Sequence, residues 1–373
     1  MTPFLLESFL AVIGGAIGGR LLVAGVARLV DADEPGRHPL GRTAVWATPA
    51  IAAVVAPALW WWEVVSHALR PNGLQDPHAD LVIRLAAHGL LLLLLAAATW
   101  VDFRHRVIPD AITVPGVLAA LAWVAIWPRT LLPVVREVPR SFAVPLREAD
   151  VLGLAGPLHG PWPEWLAAAP GLSGLAAAMV VFAVWWIVGT APSATVDGRR
   201  SFRAWLLDPR SLVAAAGTVI VAGGWLAGGE HWRGLASSLG GLAVAAGIVW
   251  LTRAGASLAL GREAMGLGDV TLMAMIGAWL GWQPSVLVCL LGVFIGLAHG
   301  VAQLVLRGEA ELPFGPSLCL AAFVVVVGWR FVWERTAGFF EHPLDMAAVV
   351  VAVISLTGLT LWGWHRLRRF SAS

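Results

Sequence analysis

Lysine is missing from the chain altogether: all 25 basic residues are arginine, scattered singly and in pairs through short segments. That leaves no basic run or stripe for a nucleic-acid surface, and no nucleic-acid partner is expected. Charge of either sign is scarce, at 13% of residues, against about 25% in an average soluble domain. Cysteine is nearly absent. Cys289 and Cys319 both lie inside apolar runs and no CxxC occurs, which excludes a disulfide framework and a cysteine zinc site. The amino terminus lacks the basic segment of a secretory signal and enters an apolar stretch with no A-x-A-like exit, so a retained first helix is expected. There is no fixed-period repeat or low-complexity tract.

What is abundant is apolar surface: 58% of the residues are hydrophobic and the mean hydropathy is +0.78. A spanning helix needs about 20 largely apolar residues. Runs of that kind cover residues 4–27, 44–62, 82–101, 111–127, 171–191, 211–228, 234–252, 269–282, 285–306, 315–332 and 346–364. The expected fold is therefore all-α, a polytopic integral membrane helical bundle of about 11 transmembrane helices. Fifteen of the 25 arginines fall in alternate connections, at 28–42, 104–106, 199–210, 253–262, 307 and 366–369. The positive-inside rule puts those connections in the cytoplasm. Residues 133–170 form the longest polar connection, on the opposite side, and Pro161-Trp162-Pro163-Glu164-Trp165 within it has the look of interfacial anchoring. Arg20, His88 and His299 fall inside apolar runs and are expected to be satisfied within the bundle.

Two stretches depart from this pattern. Trp100-Val101-Asp102-Phe103-Arg104-His105-Arg106-Val107-Ile108-Pro109-Asp110 and Met265-Gly266-Leu267-Gly268-Asp269 each set an aspartate where an apolar run meets a polar segment. Alone, such an aspartate is ordinarily an interfacial residue or a helix cap. Both fall on the side that the arginines assign to the cytoplasm. If the fold brings Asp102 and Asp269 together, they cannot both ionise and the pair holds one proton near neutral pH. One carboxylate can then activate water while the other polarises a carbonyl, which is the chemistry of an aspartic peptidase. Gly266 and Gly268 leave the backbone open for a substrate strand near Asp269. Pro109 prevents the first helix from continuing and turns the chain back.

The run Asp102 to Asp110, followed by Ala111-Ile112-Thr113-Val114-Pro115, resembles the first motif of the type IV prepilin peptidases, the GxGD-type membrane aspartic peptidases. Glu263 to Leu272 resembles their GxGD segment, and Leu312-Pro313-Phe314-Gly315-Pro316 is similar to the Pro-Phe-Gly-Pro element that follows it. The resemblance implies a multi-pass protein of the bacterial inner membrane that removes the short basic leader of prepilins or pseudopilins at the cytoplasmic face. It implies Asp102 and Asp269 as the catalytic dyad, with Gly266 and Gly268 shaping the second loop. Pro109, Asp110, Pro313, Gly315 and Pro316 are motif residues with structural roles, and Asp110 is the replacement if the dyad's first acid is not Asp102. Arg104 and Arg106 can pair with an acidic substrate residue. Neither a metal nor an organic cofactor is expected, and the partners are the substrate and the lipid bilayer.

The chain departs from the family in two ways. The connection at residues 28–43 is short and has no cysteine, where many members carry a CxxC-bearing methyltransferase domain; peptidase activity without N-methylation is expected. Four apolar runs separate the two aspartates where two are expected, an even excess that keeps both acids on one membrane face. The organisation read from sequence is residues 1–132 with the first aspartate motif, 133–260 as an inserted external loop with extra helices, 261–332 with the GxGD and PFGP helices, and 333–373 as a further helix and basic tail. Two other readings are a transporter relaying protons through intramembrane acids and an inactive scaffold of a pilus or secretion system.

Overall fold

The computed structural model describes residues 3–33, 42–70, 77–138, 146–150, 171–190, 209–261, 263, 265–307, 314–341 and a few positions between 348 and 355. Most of the external connection, the basic segment 191–208, Pro313, and nearly all of the final run 346–364 with the tail beyond it lie outside the described residues.

The other ten apolar runs are helices: α1 (Pro3–Asp33), α2 (Arg42–Trp60), α3 (His78–His105), α4 (Asp110–Ile126), α5 (Leu172–Thr190), α6 (Pro209–Ala227), α7 (Gly229–Leu260), α8 (Leu267–Leu280), α9 (Trp282–Arg307) and α10 (Gly315–Val327). An eleventh helix, α11 (Trp329–Glu341), follows a break at Gly328 and is bent 97° from α10. The run 315–332 is thus shorter than its hydropathy suggests. Pro316 does not break it, because it lies in the first helical turn, where its missing N–H is not needed. The departure from an all-α chain is one antiparallel ribbon, β1 (Val134–Val138) with β2 (Leu146–Asp150), in which Val134 faces Asp150.

Among the described residues, seven helices are long and apolar enough to cross a membrane, or eight with the bent pair. This is a multi-pass helical membrane protein. Besides α10, two of the eleven expected crossings are short: α4 has 17 residues and α8 has 14. At 1.5 Å per residue they reach about 25 and 21 Å, less than the ~30 Å hydrocarbon layer. Protein surrounds α8 instead, and every residue from Asp269 to Leu280 is buried.

Small residues let that short helix sit in the middle. A Cβ on Gly277 would stand 2.2 Å from the carbonyl oxygen of Gly241 in α7, and one on Gly241 would stand 2.1 Å from that of Gly277. The two backbones therefore touch, as small residues permit between membrane helices. Ser238 of α7 donates to the Ala278 carbonyl at 2.6 Å, and Trp279 donates to the Gly116 carbonyl of α4 at 3.1 Å. Gly281, at φ +86, takes a backbone conformation that side chains rarely adopt and starts α9 immediately.

Polar groups elsewhere in the bundle find partners. Glu63, on a π turn after α2, meets His88 of α3 at 3.0 Å with both side chains buried. Arg84, also fully buried, donates to the Arg129 carbonyl at 3.0 Å. Arg20 lies over the Trp46 ring at 5.4 Å, and His299 contacts Gln303 and the edge of Phe103.

Candidate active site

Three chain breaks at one end of the bundle build the site. The first is the stop of α3. Arg106 takes a left-handed conformation at φ 55, and its N–H closes on the Asp102 carbonyl at 2.8 Å, which leaves Asp102 in the last turn. Pro109 is extended, with φ −72 and ψ 133, and its carbonyl accepts the N–H groups of Ile112 and Thr113 as α4 begins. Asp110 is the first residue of α4 and is exposed, where an acid suits the helix dipole. Arg210 of α6 lies within its electrostatic reach.

The second break precedes α8. Gly266 caps the helix and Asp269 is its third residue. Arg253, near the end of α7, holds the loop from below: its Nε donates to the Met265 carbonyl at 2.9 Å and its Nη2 to the Glu263 carboxylate. The third break is the start of α10, where Gly315 and Pro316 open the helix. The first N–H groups of a helix have no partner within it, and that of Gly315 donates to the Asp102 carboxylate.

The three breaks converge on Ile108. A Cβ on Gly268 would lie 3.0 Å from the Ile108 Cβ and 3.2 Å from its carbonyl oxygen. A Cβ on Gly315 would lie 2.8 Å from Ile108 Cδ1 and 2.5 Å from Asp102 Oδ2. Both glycines are therefore places where the chains approach too closely for a side chain. Asp102 and Asp269 lie within electrostatic reach of one another, and both act on Cys319 of α10. They are only 4% and 8% exposed, so each is nearly stripped of water, and a groove runs past the residues beside Asp102.

The groove, of about 1010 Å³, lies between α3, α9 and α10 and is lined mainly by apolar groups including Leu95, Phe103, Leu320 and Phe323. Thr99, Ser317 and Cys319 line it beside the acids, and Arg104 and His299 also border it. Phe103, Leu320 and Phe323 are 57%, 50% and 41% exposed, so this wall faces outward.

Of the residues singled out in sequence, the structure gathers Asp102, Pro109, Gly268, Asp269, Gly315 and Pro316 within this corner. The room beside Gly268 is filled by Ile108, whereas a Cβ on Gly266 would meet nothing closer than 3.9 Å. Arg104, Arg106 and Asp110 stand on the exposed rim. Ile108, Arg253 and Ser317 carried no sequence signal of their own: an isoleucine in a motif, an arginine in an inside connection and a serine in an apolar run are all ordinary. Among the described residues, no group of three or more His, Cys, Asp or Glu side chains is arranged to hold a metal ion.

Fold and site together define a multi-pass helical membrane protein with two buried aspartates within electrostatic reach of one another. Comparison with known proteins agrees with the motifs. Residues 202–301 match the type IV leader peptidase family, which bears out the resemblance over a segment containing the Gly266–Asp269 motif, α6 to α8 and most of α9; the motif at residues 102–115 and the Pro-Phe-Gly-Pro element lie outside that segment. The match begins inside the region 133–260. Similar curated proteins are prepilin leader peptidase/N-methyltransferases. That of Aeromonas salmonicida is 36% identical over 83 residues, 21% of this chain and 28% of that protein. That of Pseudomonas aeruginosa is 39% identical over 99 residues, 25% of this chain and 32% of that protein. That of Legionella pneumophila is 31% identical over 112 residues, 26% of this chain and 39% of that protein. The chain thus spans about a third of the length of the curated relatives it matches. No solved structure matches significantly.

Proposed function

We propose that this protein is a membrane-embedded aspartic endopeptidase that cuts the leader from type IV prepilins or pseudopilins at the cytoplasmic face of the bacterial inner membrane, without methylating the new amino terminus. The observation that carries the reading is that Asp102 and Asp269 are both buried and within electrostatic reach of one another, with the Gly315 N–H on the first of them. In this reading the pair shares one proton and titrates as a unit. The ionised carboxylate takes a proton from water, whose oxygen attacks the scissile carbonyl carbon as the other carboxyl gives its proton to the carbonyl oxygen. Collapse of the tetrahedral intermediate breaks the C–N bond, and a dyad proton goes to the leaving amine.

Substrates of the family that the motifs resemble carry a hydrophobic helix after the cut, and the groove suits it, being apolar and lined by Phe103 and Arg104, the two residues that follow Asp102 in the chain. Arg104 and Arg106 on the rim meet acidic substrate residues. The absence of methylation follows from the short, cysteine-free connection at residues 28–43.

The test is co-expression with prepilins, with leader removal read as a mass shift. Asp102→Asn and Asp269→Asn keep shape and hydrogen bonding but lose the acid, and each is expected to slow cleavage at least about a hundredfold. Asp110→Asn is expected to cleave normally. Full processing by either dyad variant would favour the scaffold reading.

A further inference from the structure

The groove wall contains a buried hydroxyl that binds nothing among the described residues. Ser317 is 2% exposed, and its Oγ has no hydrogen-bond partner among the described residues. A serine inside a helix ordinarily satisfies itself on the carbonyl of the preceding turn. Ser317 sends only its backbone N–H there, to the Phe314 carbonyl at 3.0 Å. From α9 the facing residue is Gly296, where an added Cβ would come 3.7 Å from the Ser317 Cβ, so no side chain from that position reaches for the hydroxyl. Thr99, the other hydroxyl in the wall, is bonded to Cys319.

We infer that Ser317 is a substrate-binding residue, whose hydroxyl donates to a backbone carbonyl of the segment being cut, beside the scissile bond. The inference rests on the peptidase reading and adds the group that holds the substrate backbone. Its place supports this: Ser317 is two residues beyond Gly315, whose N–H holds Asp102, and it lines the groove together with Phe103, next to Asp102 in the chain, and Cys319, which lies within electrostatic reach of both acids. A hydrophobic segment can lie in such a groove as a helix, with its backbone groups satisfied internally. At the cut it must unwind, and a freed carbonyl in apolar surroundings demands a donor. Ser317 supplies one that is already desolvated and uncommitted.

The experiment uses the full chain purified in detergent and a synthetic peptide with a short basic leader ending in glycine, followed by a hydrophobic helix. Ser317→Ala is expected to lower kcat/KM about tenfold, mainly through KM, since the bond is made in ground and transition states alike. Its thermal unfolding midpoint is expected to equal or exceed that of the wild type, because the hydroxyl removed has no partner in the free protein. Ser317→Cys keeps the shape with a weak donor and falls between the two, and it carries the comparison if the alanine variant does not insert. Cleavage within twofold of wild type, or a lowered midpoint with a parallel loss of rate, overturns the inference while wild-type cleavage keeps the peptidase reading. A wild type that cannot cut the peptide overturns both.

Discussion

Whether glycine is required at a motif position is decided by what stands where its side chain would be. At Gly315 that is the Asp102 carboxylate, 2.5 Å away, and the Ile108 side chain. Gly315→Ala must push one of them aside and tilt the N–H that Asp102 accepts. Strain of about 1–3 kcal/mol is typical for an inserted methyl, enough to misplace an acid whose position sets the rate. Cleavage is expected to fall at least about a hundredfold, with the protein still inserted in the membrane. Gly266 faces open space at an ordinary φ of −66, so Gly266→Ala is expected to cut within about threefold of wild type. The same mass-shift assay separates the two. Sequence offered both glycines as equal members of their motifs, and only the packing around Ile108 distinguishes them.

At the scale of elements, the position of Asp269 depends on α7. Arg253 joins α7 to the loop before α8 through the Met265 carbonyl and the Glu263 carboxylate. Arg253→Met keeps the side-chain length but removes both bonds. With the loop untethered, kcat is expected to drop about tenfold or more, with a loss of about 1–2 kcal/mol in stability, measured by cleavage rate and thermal unfolding. Ten of the eleven labelled helices, α1 to α10, were legible as apolar runs, because length and hydropathy are local properties. The turn at Gly328 and the shortness of α4 and α8 were not, since each is set by neighbours: α8 is surrounded by protein on all sides, and α10 gives way to an amphipathic helix carrying Arg330, Glu334 and Arg335. Neither hydropathy nor motif spacing records such contacts.

At the scale of the whole molecule, Asp102 and Asp269 lie at the same end although four helices of the described chain separate them. The even number, read from sequence, is what allows it. In the proposed reading that end is cytoplasmic, as the positive-inside rule predicts from the arginines, and surface labelling can test the assignment. Val107, 61% exposed, lies at the acids' end of α4, and Trp127, 41% exposed, at the other. A cysteine at Val107 is expected to react with a membrane-impermeant maleimide only in opened vesicles or from the cytoplasmic side, and one at Trp127 only from outside. The native Cys289 and Cys319 are buried and give little background. The groove and the unpartnered Ser317 were invisible at this scale too, because they arise where α3, α9 and α10 fail to close on one another.

The chemistry depends on parts made at very different times during synthesis. Asp102 leaves the ribosome early, Asp269 long afterwards, and the Gly315 amide that steadies the first acid later still. Until α10 is made, the corner lacks the Gly315 amide that Asp102 accepts. On the peptidase reading, the order of translation thus delays the appearance of a cutting edge among other nascent polypeptides.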